Sequence, residues 1–326
     1  MSTVDHPQPT RDPAPGTVVV LVGPTASGKS GLALALAERL TAAGRPAEIV
    51  NADSMLVYRG MDIGTAKPTA TELARVRHHL VDVLDVTETA TVADFQQRAR
   101  AAIADCLDRG VVPIVVGGSA LYIRAIVDEF EFPGTDQAVR QRWETELARV
   151  GPEQLHDRLR AVDPGAAEAI LPGNGRRIVR ALEVIELTGR PFTARLPERR
   201  YHLDGVVQIG LAVDRPTLDA RIEQRVDAMW AAGLVEEVAE LAGHGLREGL
   251  TASRALGYRQ VLELLDGLVD ESEARRRTVV GTRKFARRQD SWFRQDPRIA
   301  WLAYDRPDLV EAALVAAGWS RTSVED

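Results

Sequence analysis

The run from Thr17 to Gly44 constrains this chain more than any other feature. A wholly apolar, β-branched stretch (Thr17 to Val22) leads into GPTASGKS and then into GLALALAERLTAAG. Such an apolar run suits a buried parallel strand, and the alanine- and leucine-rich stretch suits a helix that stops at Gly44. Between them, residues 23–30 match the pattern G-x-x-x-x-G-K-[ST]. Strand, glycine-rich turn and helix together meet both context requirements of a P-loop. Glycines let successive backbone amides face one cavity, and the helix adds the positive end of its dipole. The expected anion contacts are therefore Gly23, Pro24, Thr25, Ala26, Ser27, Gly28, Lys29 and Ser30. Lys29 supplies a mobile charge, and the Ser30 hydroxyl is the candidate ligand for a Mg²⁺ ion. The loop specifies a diphosphate-shaped anion without specifying a reaction.

Further apolar runs follow at Glu48–Asn51, His79–Val83 and Val111–Val116, with a helical stretch from Ala93 to Arg109. That alternation predicts an α/β fold with a mostly parallel sheet and helices on both faces. After Phe130 the pattern changes to helix-like segments broken by Gly151-Pro152, Asp163-Pro164-Gly165 and Pro172-Gly173-Asn174-Gly175. Strand character returns at Val206–Val213, and Arg298–Leu302 offers a late strand. The expected organisation is a flexible tail over 1–16, a core over 17–129 and 204–318, and a helical insertion domain over 130–203.

Composition narrows the function. Hydrophobic residues make up 45% and charged residues 27%, which suits a globular core. Cys106 is the only cysteine, which excludes an intrachain disulfide and any four-thiolate metal site. No apolar run approaches the ~20 residues that cross a bilayer. The sequence MSTVDHPQPTRDPAPG lacks the organisation of a secretory leader, so the cytoplasm is the expected location. A net charge of −6 argues against a nucleic-acid partner on average, but Arg275–Arg298 carries nine basic residues against Asp290 and Asp296. Local clustering of this kind is the electrostatic footprint of nucleic-acid binding; a solvated helix face is the alternative reading. The six histidines show no ligand-like spacing and read as structural or surface residues.

Asp53 follows the second apolar run, at the strand edge where doubly wound sheets bind ligands. The candidate strand VPIVVGGS ends without a carboxylate, which weakens an ATPase or kinase reading. The strings GPTASGKS, NADSMLVYRGMDIGTAKP, VGGSALY, RALEV, RALGYRQ and ARRQDSWFR occur in that order between Val18 and Trp301. Together they resemble the bacterial tRNA dimethylallyltransferases, and MDIGTAKP is the most specific of them.

The resemblance implies a P-loop that binds the diphosphate of dimethylallyl diphosphate. It implies transfer of the dimethylallyl group to N6 of the adenosine 3′-adjacent to the anticodon in tRNA, with Mg²⁺ as cofactor. It assigns Asp53 as the general base, beside Lys29 and Ser30, and favours Arg225 as a further diphosphate ligand over a surface ion pair with Glu223 or Asp227. It carries contact with the tRNA anticodon stem-loop onto Asp53, Ser54, Met55, Leu56, Ser119, Arg140, Arg176, Arg177, Arg180, Arg254, Gly257, Tyr258, Arg259, Arg287, Arg288, Gln289, Trp292 and Arg294. Ser30 and Ser119 keep the hydroxyl of the threonines common in relatives, whereas Gly173-Asn174 and Asp290 depart from the family pattern. A free-nucleotide isopentenyltransferase, a kinase and a non-catalytic RNA-binding protein are the alternatives, and a monomer suffices for each.

Overall fold

The computed structural model describes residues 16–130, 132, 134–192 and 198–319. The tail expected over 1–16 lies outside the described residues except for Gly16. The elements run β1 (Val18–Val22), α1 (Lys29–Ala42), β2 (Ala47–Asn51), α2 (Ala70–Arg75), β3 (His78–His79), α3 (Val92–Asp108), β4 (Val112–Gly117) and α4 (Ala120–Val127). Next come α5 (Gln137–Val150), α6 (Pro152–Val162), α7 (Pro164–Ala169) and α8 (Gly175–Thr188). The chain continues with β5 (Val206–Ala212), α9 (Arg215–Ala231), α10 (Leu234–Gly243), a 3₁₀ turn at Ala252–Arg254, α11 (Tyr258–Leu265), α12 (Glu271–Phe293), β6 (Ile299–Ala303) and α13 (Leu309–Ala316).

Among the described residues six strands form one sheet in the order β3-β2-β4-β1-β5-β6, and every neighbouring pair is parallel. The alternation of side chains along β1 explains why its sequence is apolar throughout. Val18, Val20 and Val22 join one core with Phe95, Ile103, Ile123 and Ile126. Val19 and Leu21 join another with Leu32, Leu36, Leu40 and Leu314. Helices therefore cover both faces of the sheet.

One expected strand is much shorter than its sequence suggests. The apolar run His79–Val83 contributes only His79 to β3 (His78–His79), because Leu80 (φ 61°) and Asp82 (φ 55°) adopt left-handed backbone. A strand cannot continue through that conformation. The chain leaves the sheet there, and Asp82 and Val83 instead donate amides to the carbonyls of Leu56 and Val57.

The chain divides into two compact units, one of residues up to Asp128 and from Tyr201 on, the other Glu129–Arg200. The first thus reclaims residues 201–203 from the expected insertion. Tyr201 pairs with Asp128 in an isolated bridge, accepts from Gln208 Nε2 at 2.9 Å and lies under Arg298 at 4.2 Å. The second unit has its own core of Leu155, Leu159, Ile170, Ile178 and Leu182. His156 is buried there, its Nε2 within 2.9 Å of the Ala167 carbonyl and 2.8 Å of that of Ile170.

Candidate active site

Three strands deliver the site residues to one edge. In the register of the sheet, Val22 lies opposite Gly117 and Val116 opposite Asn51, so β1, β4 and β2 end level. The loop after β1 and Asp53 after β2 therefore lie two strand spacings apart, about 10 Å, with Gly117-Gly118-Ser119 between them.

The loop itself is built from unusual backbone. Gly23 (φ 151°), Ala26 (φ 67°) and Gly28 (φ 97°) turn the chain tightly before α1. Ala26 pays the steric penalty of that region without glycine's freedom, a form of strain that clusters at functional sites. Gly28 caps α1 without a side-chain hydrogen bond, and no acidic residue lies in the first turn. By contrast, the caps of α3, α9 and α12 (Thr91, Asp214 and Asp270) each accept from a first-turn amide. The positive end of α1 is thus left for an external acceptor. Ser27 is buried, and its Oγ has no hydrogen-bond partner among the described residues. A buried unpaired hydroxyl is costly, and a bound anion would satisfy it.

Lys29 Nζ donates to the Pro24 carbonyl at 3.2 Å, across the loop. Although the residue is partly exposed, burial of its ammonium pushes the pKa down to about 8, with Asp53 opposing and Arg225 reinforcing. Arg225, on α9, is likewise pulled below its ordinary value by burial, with Asp53 again opposing. Its Nη2 donates to the Thr65 carbonyl at 3.1 Å. The alternative ion pairs do not occupy it, since Glu223 holds Arg283 and Asp227 holds Arg275. Two desolvated cations therefore share the field of one carboxylate.

Asp53 is set by its neighbours. Its amide donates to Asn51 Oδ1 at 2.8 Å, while Asn51 Nδ2 donates to the carbonyls of Asp53 and Leu80, each at 2.9 Å. Asp53 Oδ1 accepts from the Met55 amide at 2.9 Å, an Asx-type turn. Beside it, Ser54 hydrogen-bonds Tyr122, whose phenol is raised chiefly by burial and further by Tyr58 and Asp53. Tyr122 sits edge-on to Phe95 at 5.0 Å. Sequence reasoning assigned Tyr122 no role, although it belongs to the VGGSALY string.

Gly117, which ends β4, and Gly118 let neighbouring groups approach the backbone closely. A Cβ at Gly117 would meet Ala52 at 2.7 Å, and one at Gly118 would meet Gln289 Nε2 at 2.5 Å. Gln289 Oε1 in turn accepts the Thr25 amide at 2.8 Å, latching the loop to α12. Two of the residues expected to touch RNA lie inside the protein. Gln289 is buried behind the loop, and Tyr258 is fully buried with its hydroxyl on Glu237 at 2.5 Å. Both side chains are engaged within the protein.

The remaining expected contacts scatter over several elements. Met55 and Leu56 follow Asp53 and are partly exposed, and Ser119 caps α4 without a side-chain bond. Arg254 and Arg259 are exposed, Arg259 lying 3.7 Å from Glu263, and Gly257 (φ 90°) turns the chain between them. On α12, Trp292 is 46% exposed, Arg288 lies over Phe285, and Arg287 approaches Asp219 at 3.8 Å. Arg294 stacks on Trp301 at 3.8 Å. The charge of this basic run is also less naked than its sequence suggests. Arg275, Arg276, Arg277, Arg283, Arg294 and Arg298 all have carboxylate partners. In the helical unit, Arg140 (3.3 Å) and Arg180 (3.0 Å) both reach the buried Glu183. Arg176 and Arg177 occupy the first turn of α8, whose Asn174 cap accepts from the Arg177 amide at 3.3 Å.

Among the described residues one cluster has metal-ligand chemistry, Glu48, His79 and Cys106. Its donors are engaged with each other and with Arg109, which grips both Glu48 oxygens at 2.8 and 2.7 Å. Hydrogen bonding from Arg109 lowers Glu48 to about 2, whereas burial and Glu48 push the Cys106 thiol up to about 12. A thiol held protonated is a poor ligand, and this network reads as a brace between β2, β3 and α3.

A glycine-rich anion cradle at the carboxyl edge of a parallel sheet defines a P-loop α/β protein. A profile of the IPP transferase family matches residues 56–296. The chain belongs to that family. It is 60% identical over 308 residues to a tRNA dimethylallyltransferase of Nocardioides sp., covering 94% of this chain and 96% of that one. It is 62% identical over 299 residues to the Thermobifida fusca protein of the same name, covering 91% and 93%. Among solved structures it is similar to the tRNA isopentenylpyrophosphate transferase of Bacillus halodurans, with TM-score 0.66, 38% identity and 95% and 97% of the two chains covered. It is also similar to a eukaryotic dimethylallyltransferase acting on tRNA, with TM-score 0.78, 25% identity and 91% and 77% covered.

The latch generates a test. In Gly118→Ala the new methyl must displace the Gln289 amide from the Thr25 position. Losing about one hydrogen bond's worth of order there should weaken inorganic diphosphate binding by about tenfold, as read by isothermal titration calorimetry.

Proposed function

We infer that this chain transfers the dimethylallyl group of dimethylallyl diphosphate to N6 of the adenosine 3′-adjacent to the anticodon of tRNA, releasing diphosphate. One observation carries the reading: an uncapped, glycine-turned anion cradle and the Asp53 carboxylate share one sheet edge, with Lys29 and Arg225 both in the field of Asp53. Family membership supplies the substrate class, and all these groups come from a single chain, which is consistent with a monomer. Among the described residues no helix is long and apolar enough to cross a membrane.

The exocyclic amine of adenine is a weak nucleophile, because its lone pair is delocalised into the ring. The reaction forms a bond from N6 to the allylic carbon and breaks the bond from that carbon to the diphosphate oxygen, which keeps the electron pair. Lys29, Arg225, the Ser27 hydroxyl and the loop amides receive the growing charge on that oxygen and its neighbours. Asp53 accepts the N6 proton. A carboxylate with an ordinary pKa of roughly 3.9 cannot deprotonate a neutral amine. It accepts the proton once C–N bonding has made the nitrogen acidic.

Ser30, exposed in the first turn of α1 beside the cradle, is the hydroxyl that fits Mg²⁺. An oxygen donor of this kind would suit that ion. When bound, Mg²⁺ would neutralise charge on the diphosphate.

Incubation with unmodified tRNA and dimethylallyl diphosphate should produce N6-dimethylallyladenosine, detected by nucleoside mass spectrometry. Asp53→Asn keeps the oxygen that accepts from Met55 yet cannot take a proton; kcat should fall by about 10²–10⁴ while diphosphate binding is retained or tightens. Wild-type turnover in that variant would dismiss Asp53 as the base. The pH profile has a definite sign. Lys29 loses its charge as pH rises through about 8 in the free protein. Since kcat/KM reports on free-enzyme groups, its value for dimethylallyl diphosphate should fall above about pH 8 and flatten below it. Finally, tRNA affinity should drop with salt, and Arg288→Ala should shallow the log–log slope by about one unit.

A further inference from the structure

The string MDIGTAKP marks the family, yet none of its residues has a chemical part in the reaction above. Its geometry supplies one. The Glu237 carboxylate, on α10, accepts from three successive backbone amides: Asp62 at 3.1 Å, Ile63 at 2.7 Å and Gly64 at 3.3 Å. It also accepts from the Tyr258 hydroxyl at 2.5 Å. Burial and the adjoining carboxylate drive the phenol well above its ordinary range, so Tyr258 stays a donor. Gly64 is required here, because a Cβ would meet the Tyr258 ring at 2.4 Å.

The turn gathered in this way is compact. Thr65 Oγ1 donates to the Met61 carbonyl at 2.6 Å, and Ala66 takes a left-handed φ of 50°. Lys67, with its side chain 4% exposed, closes the turn against Asp62, Asp82 and the Tyr58 carbonyl. What the turn offers outward is the Thr65 carbonyl, which accepts Arg225 Nη2 at 3.1 Å. A desolvated guanidinium held at a fixed acceptor loses little freedom on meeting an anion.

We propose that Glu237 is a positioning residue for the diphosphate site, acting through the 62–65 turn to fix the Arg225 guanidinium, with Tyr258 holding the carboxylate in place. The proposal rests on the assignment of the cradle to an isoprenoid diphosphate, but its test reads the cradle alone. The probe is inorganic diphosphate, titrated calorimetrically into the full-length protein.

Glu237→Gln places an amide donor among groups that are all donors. It should weaken diphosphate binding by about tenfold in the wild-type background and leave it unchanged in an Arg225→Ala background. Coupling of this kind is what a double-mutant cycle isolates. In turnover, KM for dimethylallyl diphosphate should rise while KM for tRNA stays constant. Tyr258→Phe keeps the ring against Gly64 and should give a smaller shift of the same kind; it serves as the test if Glu237→Gln does not fold. Equal losses with and without Arg225, or a loss confined to the tRNA KM, would overturn the proposal. If the wild type binds diphosphate with this coupling yet modifies no tRNA, the functional reading falls while the positioning role stands.

Discussion

One carboxylate whose field reaches two desolvated cations is the interaction around which the rest of the site is organised. Lys29 and Arg225 lose solvation at the sheet edge, and Asp53 is the negative group that offsets the cost for both. An anionic ligand adds a second compensation, which makes the cradle's affinity and its electrostatic strain two sides of one arrangement. Removing two charges from water is expensive unless partners are well placed. Placement is therefore where the fold spends its specialised residues: the Asn51 and Met55 contacts around Asp53, the Pro24 and Thr65 carbonyls for the cations, and the glycines between.

The sheet order turns a local motif into that arrangement. Because β4 lies between β1 and β2, the P-loop and Asp53 are separated by one strand, and that strand must end in residues without side chains. Gly117 and Gly118 meet the requirement, and the same absence lets Gln289 reach Thr25 from α12. A missing carboxylate after β4 thus has a positive structural meaning. A side chain there would collide with Ala52 or displace Gln289.

Much of this was legible in the sequence. The P-loop, the apolar strands and the carboxylate after β2 each follow from local rules of periodicity and turn chemistry. The His79–Val83 run misled because its alternation is strand-like while its backbone turns left-handed, a choice made by tertiary pairing with residues 56–57. The burial of Tyr258 and Gln289 was hidden for a related reason. Both lie in recognisable strings beside arginines, yet their partners, Glu237 and Thr25, are 21 and 264 residues away. Glu237 had no local signal at all, since a glutamate on an amphipathic helix ordinarily faces water. The basic run of α12 overstated its free charge because its carboxylate partners include residues from α9 and α11.

The helical unit leaves and re-enters the parent fold at adjacent points. Asp128 and Tyr201 are bridged, and immediately beyond them the Glu129 amide donates to the Arg200 carbonyl at 2.8 Å. Two chain ends already side by side can be joined by a tight turn without disturbing the sheet, so the segment has the connectivity of an exchangeable cassette. Lineages could therefore lengthen, shorten or replace the cassette to suit different macromolecules while inheriting an unaltered reaction centre.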